Sequence, residues 1–313
     1  MPSNTKNTVT CCMILKNEGQ TILSALRSIS AVDEFVIGID ESTTDNTLEE
    51  VGKFAFEHIV NCYFFKWDDD FSKARNEGID KAKGEYVFIL DGHETVENYI
   101  PPIGHDTYYV NVRMHSNGYR VLHEQPRLFK KRHYFNKSHN QIEVSTAWKL
   151  QTIVNHKRSE SLTKTRLLQR KEMNFSDLFS RIKNGDERSK LQLAHEYMAF
   201  QMWPEAIEWF KDYKPRNEQE QYQIYINIGL CYYWTGVTGS NRAMAEKYFK
   251  MCDGDRNAHL VFLAALTKDV SYAKKALEVP KPEQFYYLYE DFYYETPLRL
   301  VKKYDTCTSV IKS

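Results

Sequence analysis

The sequence predicts an α/β domain built on a mostly parallel, Rossmann-like sheet, followed by an all-α domain. Three observations carry this expectation. Over the first hundred residues, short apolar runs alternate with stretches of helical spacing, the pattern of a parallel sheet with covered faces. From about Arg181 onward the pattern is helical. The length, 313 residues, is comfortable for two domains. The boundary is placed between 1–175 and 176–313.

Each element has its own signal. Val9–Leu15 is a continuous apolar run, as a strand buried on both faces requires, and Lys16-Asn17-Glu18-Gly19 breaks it. Thr21–Ile29 has helical spacing at Ile22, Ala25, Leu26 and Ile29. Glu34–Ile39 is a second strand, after which Thr44 or Asp45 caps a helix running to about Phe56. Ile59–Phe65 is a third strand, and Phe71–Ala82 a third helix closed at Gly84. Tyr86–Leu90 is a fourth strand ending at Asp91. Further on, Leu193, Ala194, Tyr197, Ala206 and Phe210 have the spacing of a tetratricopeptide helix pair. Ile228, Gly229, Tyr232, Ala245, Phe249 and Cys252 repeat it, and a weaker third unit runs through Ala264, Ala273 and Leu277. A generic helical bundle is the alternative.

The net charge is zero, so no whole-chain field selects a polyanionic partner. Charge is uneven, however: Arg127–Lys171 holds twelve Lys and Arg against Glu143 and Glu160. None of the six cysteines forms a CxxC pair or has zinc-ligand spacing, and Cys11 and Cys12 lie in an apolar run, so a reducing compartment is expected. The start, MPSNTKNTVT, has no apolar core of a signal peptide, and no stretch approaches the ~20 apolar residues of a membrane span. A soluble, cytoplasmic protein is the expectation; the sequence does not give an oligomeric state.

In parallel sheets ligands bind at the carboxyl ends of the strands, where Asp40 and Asp91 both fall. Asp91-Gly92-His93-Glu94 gathers two carboxylates and an imidazole there. Side chains two apart on extended backbone project to one side, so Asp91 and His93 can share a metal ion, with diphosphate oxygens completing its coordination. A solvated turn is the competing reading of DGHE. Asp40 can accept hydrogen bonds from a ribose or a base. In Trp67-Asp68-Asp69-Asp70-Phe71-Ser72-Lys73-Ala74-Arg75-Asn76, Asp70 can cap the following helix and Arg75 can clamp phosphate. The bland alternative for Arg75 is a surface pair with Asp68 or Asp69.

These stretches, NTVTCCMILKNEG, IGIDESTTDNT and KWDDDFSKARNEGIDKAKGEYVFILDGHE, resemble family-2 glycosyltransferases of the GT-A fold, in order and spacing, over about residues 8–95. With the C-terminal repeats, the chain resembles the branch of sublancin-type S-glycosyltransferases. The resemblance implies a nucleoside-diphosphate sugar donor, with a UDP-sugar ranked first, and assigns roles. Asn17, Glu18 and Asp40 contact the nucleoside, while Asp70, Arg75 and Asn76 line the nucleotide pocket. Asp91 begins the metal motif, in which His93 stands where most relatives have a second Asp, a change that suits manganese better than magnesium. His139 and Asn140 in SHNQIE resemble an element that follows the core sheet, and His156 resembles a later histidine that reaches the metal.

The expected activity is therefore metal-dependent sugar transfer with inversion, a carboxylate taking the acceptor's proton. Glu94, Glu124 and Glu143 are the candidates for that base. The acceptor ranks as peptide or protein first, a nucleic acid with a hydroxymethylated pyrimidine close behind because of the basic stretch, and a surface glycan third. The rival function is a degenerate transferase serving as a binding scaffold, for which His93 is the best support.

Overall fold

In the computed structural model the described residues are 7–68, 70–116, 119–136, 141–142, 147–156, 164–236, 238–252, 256–282, 287–293 and 295–310. The chain divides into two compact units, Met1–Ser159 and Glu160–Ser313.

The first unit opens with three strand–helix alternations: β1 (Val9–Leu15), α1 (Ile22–Ser28), β2 (Glu34–Asp40), α2 (Thr47–Ala55), β3 (Val60–Phe65) and α3 (Phe71–Lys81), leading into β4 (Tyr86–Ile89). Then come β5 (Glu94–Glu97), β6 (Thr107–Ser116), β7 (Tyr119–Lys130), the short β8 (Phe135–Asn136) and β9 (Gln141–Ile142), and β10 (Trp148–His156). The main sheet runs in the order β3-β2-β1-β4-β7-β6-β10-β5. Its first four strands are parallel. Beyond β4 it becomes mixed, with β7 antiparallel to β4 and β6, and β5 antiparallel to β10. The expected parallel half is thus joined to a mixed half, in which β6 and β10 pair parallel.

Burial explains why β1, β2 and β4 read as unbroken apolar runs. One face carries Cys11, Met13, Phe35, Ile37 and Phe88 into a core with Ile22, Leu26 and Val51 of α1 and α2. The opposite face carries Cys12, Val36, Val87 and Ile89 against Ile79 and Ala82 at the end of α3. Helix α2 begins one or two residues later than expected. Asn46 is its N-cap, and Asp45 instead accepts from Thr47 N at 3.0 Å and from Gly19 N at 2.9 Å, tying together the loops after β1 and β2.

The second unit contains α4 (Lys164–Lys183) and the successive pairs α5 (Arg188–Ala199) with α6 (Trp203–Asp212), α7 (Glu218–Thr235) with α8 (Gly239–Lys250), and α9 (Ala258–Thr267) with α10 (Val270–Glu278), then α11 (Glu295–Val310). Ala194, Ala206, Phe210, Ile224, Ile228 and Cys231 form one core cluster. Gly229 is required where α7 meets α8: a Cβ there would lie 2.5 Å from the Phe249 ring. Among the described residues, no helix is long and apolar enough to cross a membrane.

Candidate active site

The carboxyl ends of β1, β2 and β4 and the loops that leave them hold Asn17, Glu18, Asp40, Asp91 and His93. After β1 the chain turns through Asn17, whose φ of 54° lies in the left-handed region that Asn tolerates better than most residues. Asn17 Oδ1 accepts from Thr44 N at 2.8 Å, and Thr47 Oγ1 accepts from Glu18 N at 2.8 Å, so the β1 and β2 loops hold each other. Asp40, 3% exposed at the end of β2, accepts from Ser42 N at 2.8 Å, from Ser42 Oγ at 2.6 Å and from Lys16 Nζ at 3.1 Å. Burial opposes ionisation of Asp40, but the Ser42 bonds and then Lys16 outweigh it and hold its carboxyl below the usual range.

The DGHE turn after β4 is bound on all sides. Gly92 is where the backbone comes closest, since a Cβ there would lie 2.7 Å from Leu15 Cδ2 and 2.8 Å from Glu18 Cγ. That approach sets Glu18 Oε1 3.3 Å from His93 Nδ1. The His93 pKa is raised, chiefly by this hydrogen bond, against the effect of burial. His93 and His156 meet edge to face, 4.8 Å between ring centroids. Arg75 donates to Asp91 Oδ1 at 3.0 Å, its guanidinium lying over the Phe135 ring at 5.1 Å. Burial would raise the Asp91 pKa; Arg75 and then Arg127 outweigh it and hold the carboxyl well below the usual range, so it is ionised at neutral pH.

Beneath the turn lies a buried ion pair. Glu94 has no exposed area. One oxygen accepts from Arg127 Nη2 at 3.0 Å and lies 2.9 Å from His156 Nδ1; the other accepts from Asp91 N at 3.0 Å. The register makes this possible, since Glu94 and His156 are direct partners across β5 and β10. Burial works against ionisation of Glu94, and Arg127 is the main influence that lowers its pKa regardless.

Three expected residues have other engagements. Asp70 caps α3, accepting from Ser72 N at 3.0 Å and Lys73 N at 3.2 Å. Asn76 exchanges two hydrogen bonds with the backbone of Phe135, at 2.9 and 2.8 Å. Glu124, on β7, is ion-paired with Lys149 at 2.6 Å. His139, Asn140 and Glu143 lie outside the described residues. Two residues were not singled out from sequence. Lys16 was overlooked although it directly follows an apolar strand. Arg127 was counted only as one charge of a basic stretch, although a charge flanked by the apolar run of a strand signals a buried pair.

Residues 10–147 match the model described as Glycosyl transferase family 2. This segment is a family 2 glycosyl transferase domain. The segment lies within the α/β unit, and the helical unit follows it in the chain. The SPbeta prophage-derived glycosyltransferase SunS of Bacillus subtilis (strain 168) is 34% identical over 84 residues, 27% of this chain and 19% of SunS. A TPR repeat-containing protein of Synechococcus elongatus is 33% identical over 87 residues, 28% of this chain and 20% of that protein. The chain therefore spans about a fifth of the length of these curated relatives. The crystal structure of S. aureus TarS 1–349 is 12% identical, covers 85% of this chain and 88% of that one, and gives a TM-score of 0.36.

Proposed function

We propose that the chain is a metal-dependent glycosyltransferase that moves a sugar from a nucleoside-diphosphate sugar, UDP-linked, to an acceptor nucleophile with inversion. The observation that supports this reading is the gathering of Glu18, Asp40, Arg75, Asp91, His93 and His156 at the strand ends of a family 2 glycosyl transferase domain. Asn17, Glu18 and Asp40 take the nucleoside. Asp70 and Asn76 shape the nucleotide pocket, Asp70 by fixing the start of α3 and Asn76 by holding Phe135. Arg75 offsets charge on the departing diphosphate.

The side chains fit a divalent ion on one structural ground. His156 carries the buried Glu94 carboxylate at Nδ1, which leaves Nε2 as its other ring nitrogen, and a carboxylate behind an imidazole is the usual support of a metal-bound His. Asp91, His93 and His156 would hold the ion. Mixed oxygen and nitrogen donors favour Mn2+ over Mg2+. Among the described residues no group of three His, Cys, Asp or Glu is set to hold an ion alone, so diphosphate oxygens must complete the coordination. When bound, the ion neutralises charge on the leaving group.

Glu94 is a positioning residue in this reading, because both of its oxygens are engaged and neither reaches solvent. Glu124 and Glu143 remain as candidates for the acceptor's proton. The helix pairs of the second unit are read as tetratricopeptide-like, and the acceptor as a peptide or protein. A nucleic acid is placed lower because the described cations of the basic stretch are paired internally. Arg127 meets Glu94, Lys130 meets Asp106 at 3.2 Å, Arg132 meets Asp106, and Lys149 meets Glu124.

The test is hydrolysis of UDP-sugars with Mn2+ or with chelator, followed by transfer to peptide, glycan and modified DNA. Metal-stimulated hydrolysis is expected. No hydrolysis, with thermal stability unmoved by UDP and Mn2+, refutes the enzyme and leaves the scaffold reading that His93 favours.

A further inference from the structure

The contact between Glu18 and His93 has a counterpart beneath the DGHE turn. His93 Nδ1 lies 3.3 Å from Glu18 Oε1, and His156 Nδ1 lies 2.9 Å from Glu94 Oε1. A carboxylate only accepts hydrogen bonds, so each imidazole carries a proton on Nδ1, and Nε2 is the nitrogen that remains for an ion. The two rings stand 4.8 Å apart, centroid to centroid. Two imidazole nitrogens bound to one ion at about 2.1 Å put their ring centroids roughly 4.5–5 Å apart, so the observed spacing suits a shared ion.

Glu18 is itself held on every side. Its N–H donates to Thr47 Oγ1 at 2.8 Å, and its carbonyl accepts from Thr21 N and Ile22 N, both at 2.9 Å. Its second carboxylate oxygen, Oε2, accepts from Thr21 Oγ1 at 2.9 Å. The carboxylate is thus tied to the start of α1, and the backbone to the start of α2. The side chain keeps 22% of its exposure, so the nucleoside contact proposed above and the support of His93 are compatible. A carboxylate behind an imidazole fixes its tautomer and ring orientation and makes the other nitrogen a better donor. His93 therefore comes with the support that a metal-bound His needs, supplied by a different element from the one that supports His156.

We propose that Glu18 is a positioning residue of the metal site: it holds His93 as Glu94 holds His156, so that the histidine of DGHE is a built nitrogen ligand and not a lost carboxylate. The assignment rests on the metal-dependent reading above. The test uses the full chain and reads binding rather than turnover. Mn2+ pyrophosphate and Mg2+ pyrophosphate are each titrated into the protein by calorimetry; pyrophosphate supplies the diphosphate oxygens without a nucleoside. Glu18→Gln should weaken the Mn2+ complex about 10–100-fold. It should weaken the Mg2+ complex much less, because Mg2+ is held through oxygen. In a His93→Gln background Glu18→Gln should cost little more, since both residues act through one ligand. Equal losses for the two ions, or additive losses in the double variant, overturn the proposal, because they mark a general distortion of the loop. The wild type gives a second readout that needs no variant. Zn2+ pyrophosphate, a diamagnetic probe, should shift Nε2 of both His93 and His156 in 15N spectra while both Nδ1 protons persist. A shift of His156 alone overturns the role of Glu18 and leaves the metal reading standing. Failure of all three complexes to bind the wild type overturns the metal reading, and this proposal with it.

Discussion

Glu94→Gln separates positioning from chemistry. The substitution keeps the shape, removes the charge, and leaves Arg127 as a buried cation deprived of its nearest counter-charge. Removing one partner of a buried pair costs about 3–5 kcal/mol. The amide retains one oxygen acceptor, and Asp91 also acts on Arg127, so the lower end, about 3 kcal/mol, is the expectation here. His156 would also lose its charged support, and such losses typically reduce metal affinity or activity by about 10–100-fold. Arg127→Met should be at least as destabilising, because it strands a buried carboxylate. The double variant should recover much of the lost stability, since a buried pair replaced as a whole is often near neutral. It should not recover activity, because His156 still lacks the carboxylate. The assays are denaturant unfolding, and sugar-nucleotide hydrolysis over a manganese series at a temperature where every variant is folded. Additive stability losses in the double variant would refute the pairing. Unchanged stability in Glu94→Gln, with kcat reduced by more than about a thousandfold, would identify Glu94 as the proton acceptor instead.

Four other outcomes are expected. Asp91→Ala should abolish transfer with circular dichroism and unfolding midpoint nearly intact; near wild-type transfer would remove Asp91 from the metal motif. Asp40→Ala should weaken nucleotide-sugar binding more than it slows the chemical step, because Asp40 holds Lys16 and the Ser42 backbone; unchanged affinity by titration calorimetry would contradict this. Gly92→Ala should push Glu18 away from His93 and lower the His93 pKa measured by NMR titration, since the Glu18 bond is what chiefly raises it; an unmoved pKa would show that the turn accommodates the methyl. Reversing Lys130, Lys131 and Arg132 to Glu should cost about 1–3 kcal/mol of stability and leave acceptor affinity flat across a salt series, since these side chains hold Asp106, Glu85 and the carbonyls of Asp80 and Ala82; a steep salt slope that flattens in the variant would reinstate a polyanionic acceptor.

The sequence was legible where one residue type had one reason to be present. β1, β2 and β4 are buried on both faces, so their apolar runs admit no other element, and Asp40 and Asp91 stand out because each ends such a run. The helix pairs were legible from buried Ala, Phe and Ile at helical spacing. The mixed half was not. β6 and β7 mix Asn111, Arg113, Glu124 and Arg127 with apolar residues, so neither an apolar run nor strict alternation marks them. The engagement of Glu94 was also hidden, because its partners come from 33 and 62 residues away and meet it only once the β5–β10 register is set. Sequence offered Glu94 as a base because it is a carboxylate beside a metal motif; its complete burial is a property of the sheet.

The same distinction governs the basic stretch. Counted along the chain, its surplus of positive charge points to a polyanion. Placed in the fold, Arg127 is a buried counter-ion beneath the DGHE turn, Lys149 answers Glu124 across the sheet, Lys130 and Arg132 share Asp106, and Lys131 donates to backbone carbonyls near the end of α3. None of these acids is within the stretch itself, so the local count could not see them. A cation engaged in this way contributes little to long-range attraction, because its field is largely cancelled within a few ångströms and the remainder is screened by salt. Among the described residues the cations at the site are Arg75, paired with Asp91, and Lys16, paired with Asp40, and so small a set suits a diphosphate better than a nucleic acid backbone. Within the described residues, the charge distribution therefore fits the proposed donor better than a polyanionic acceptor.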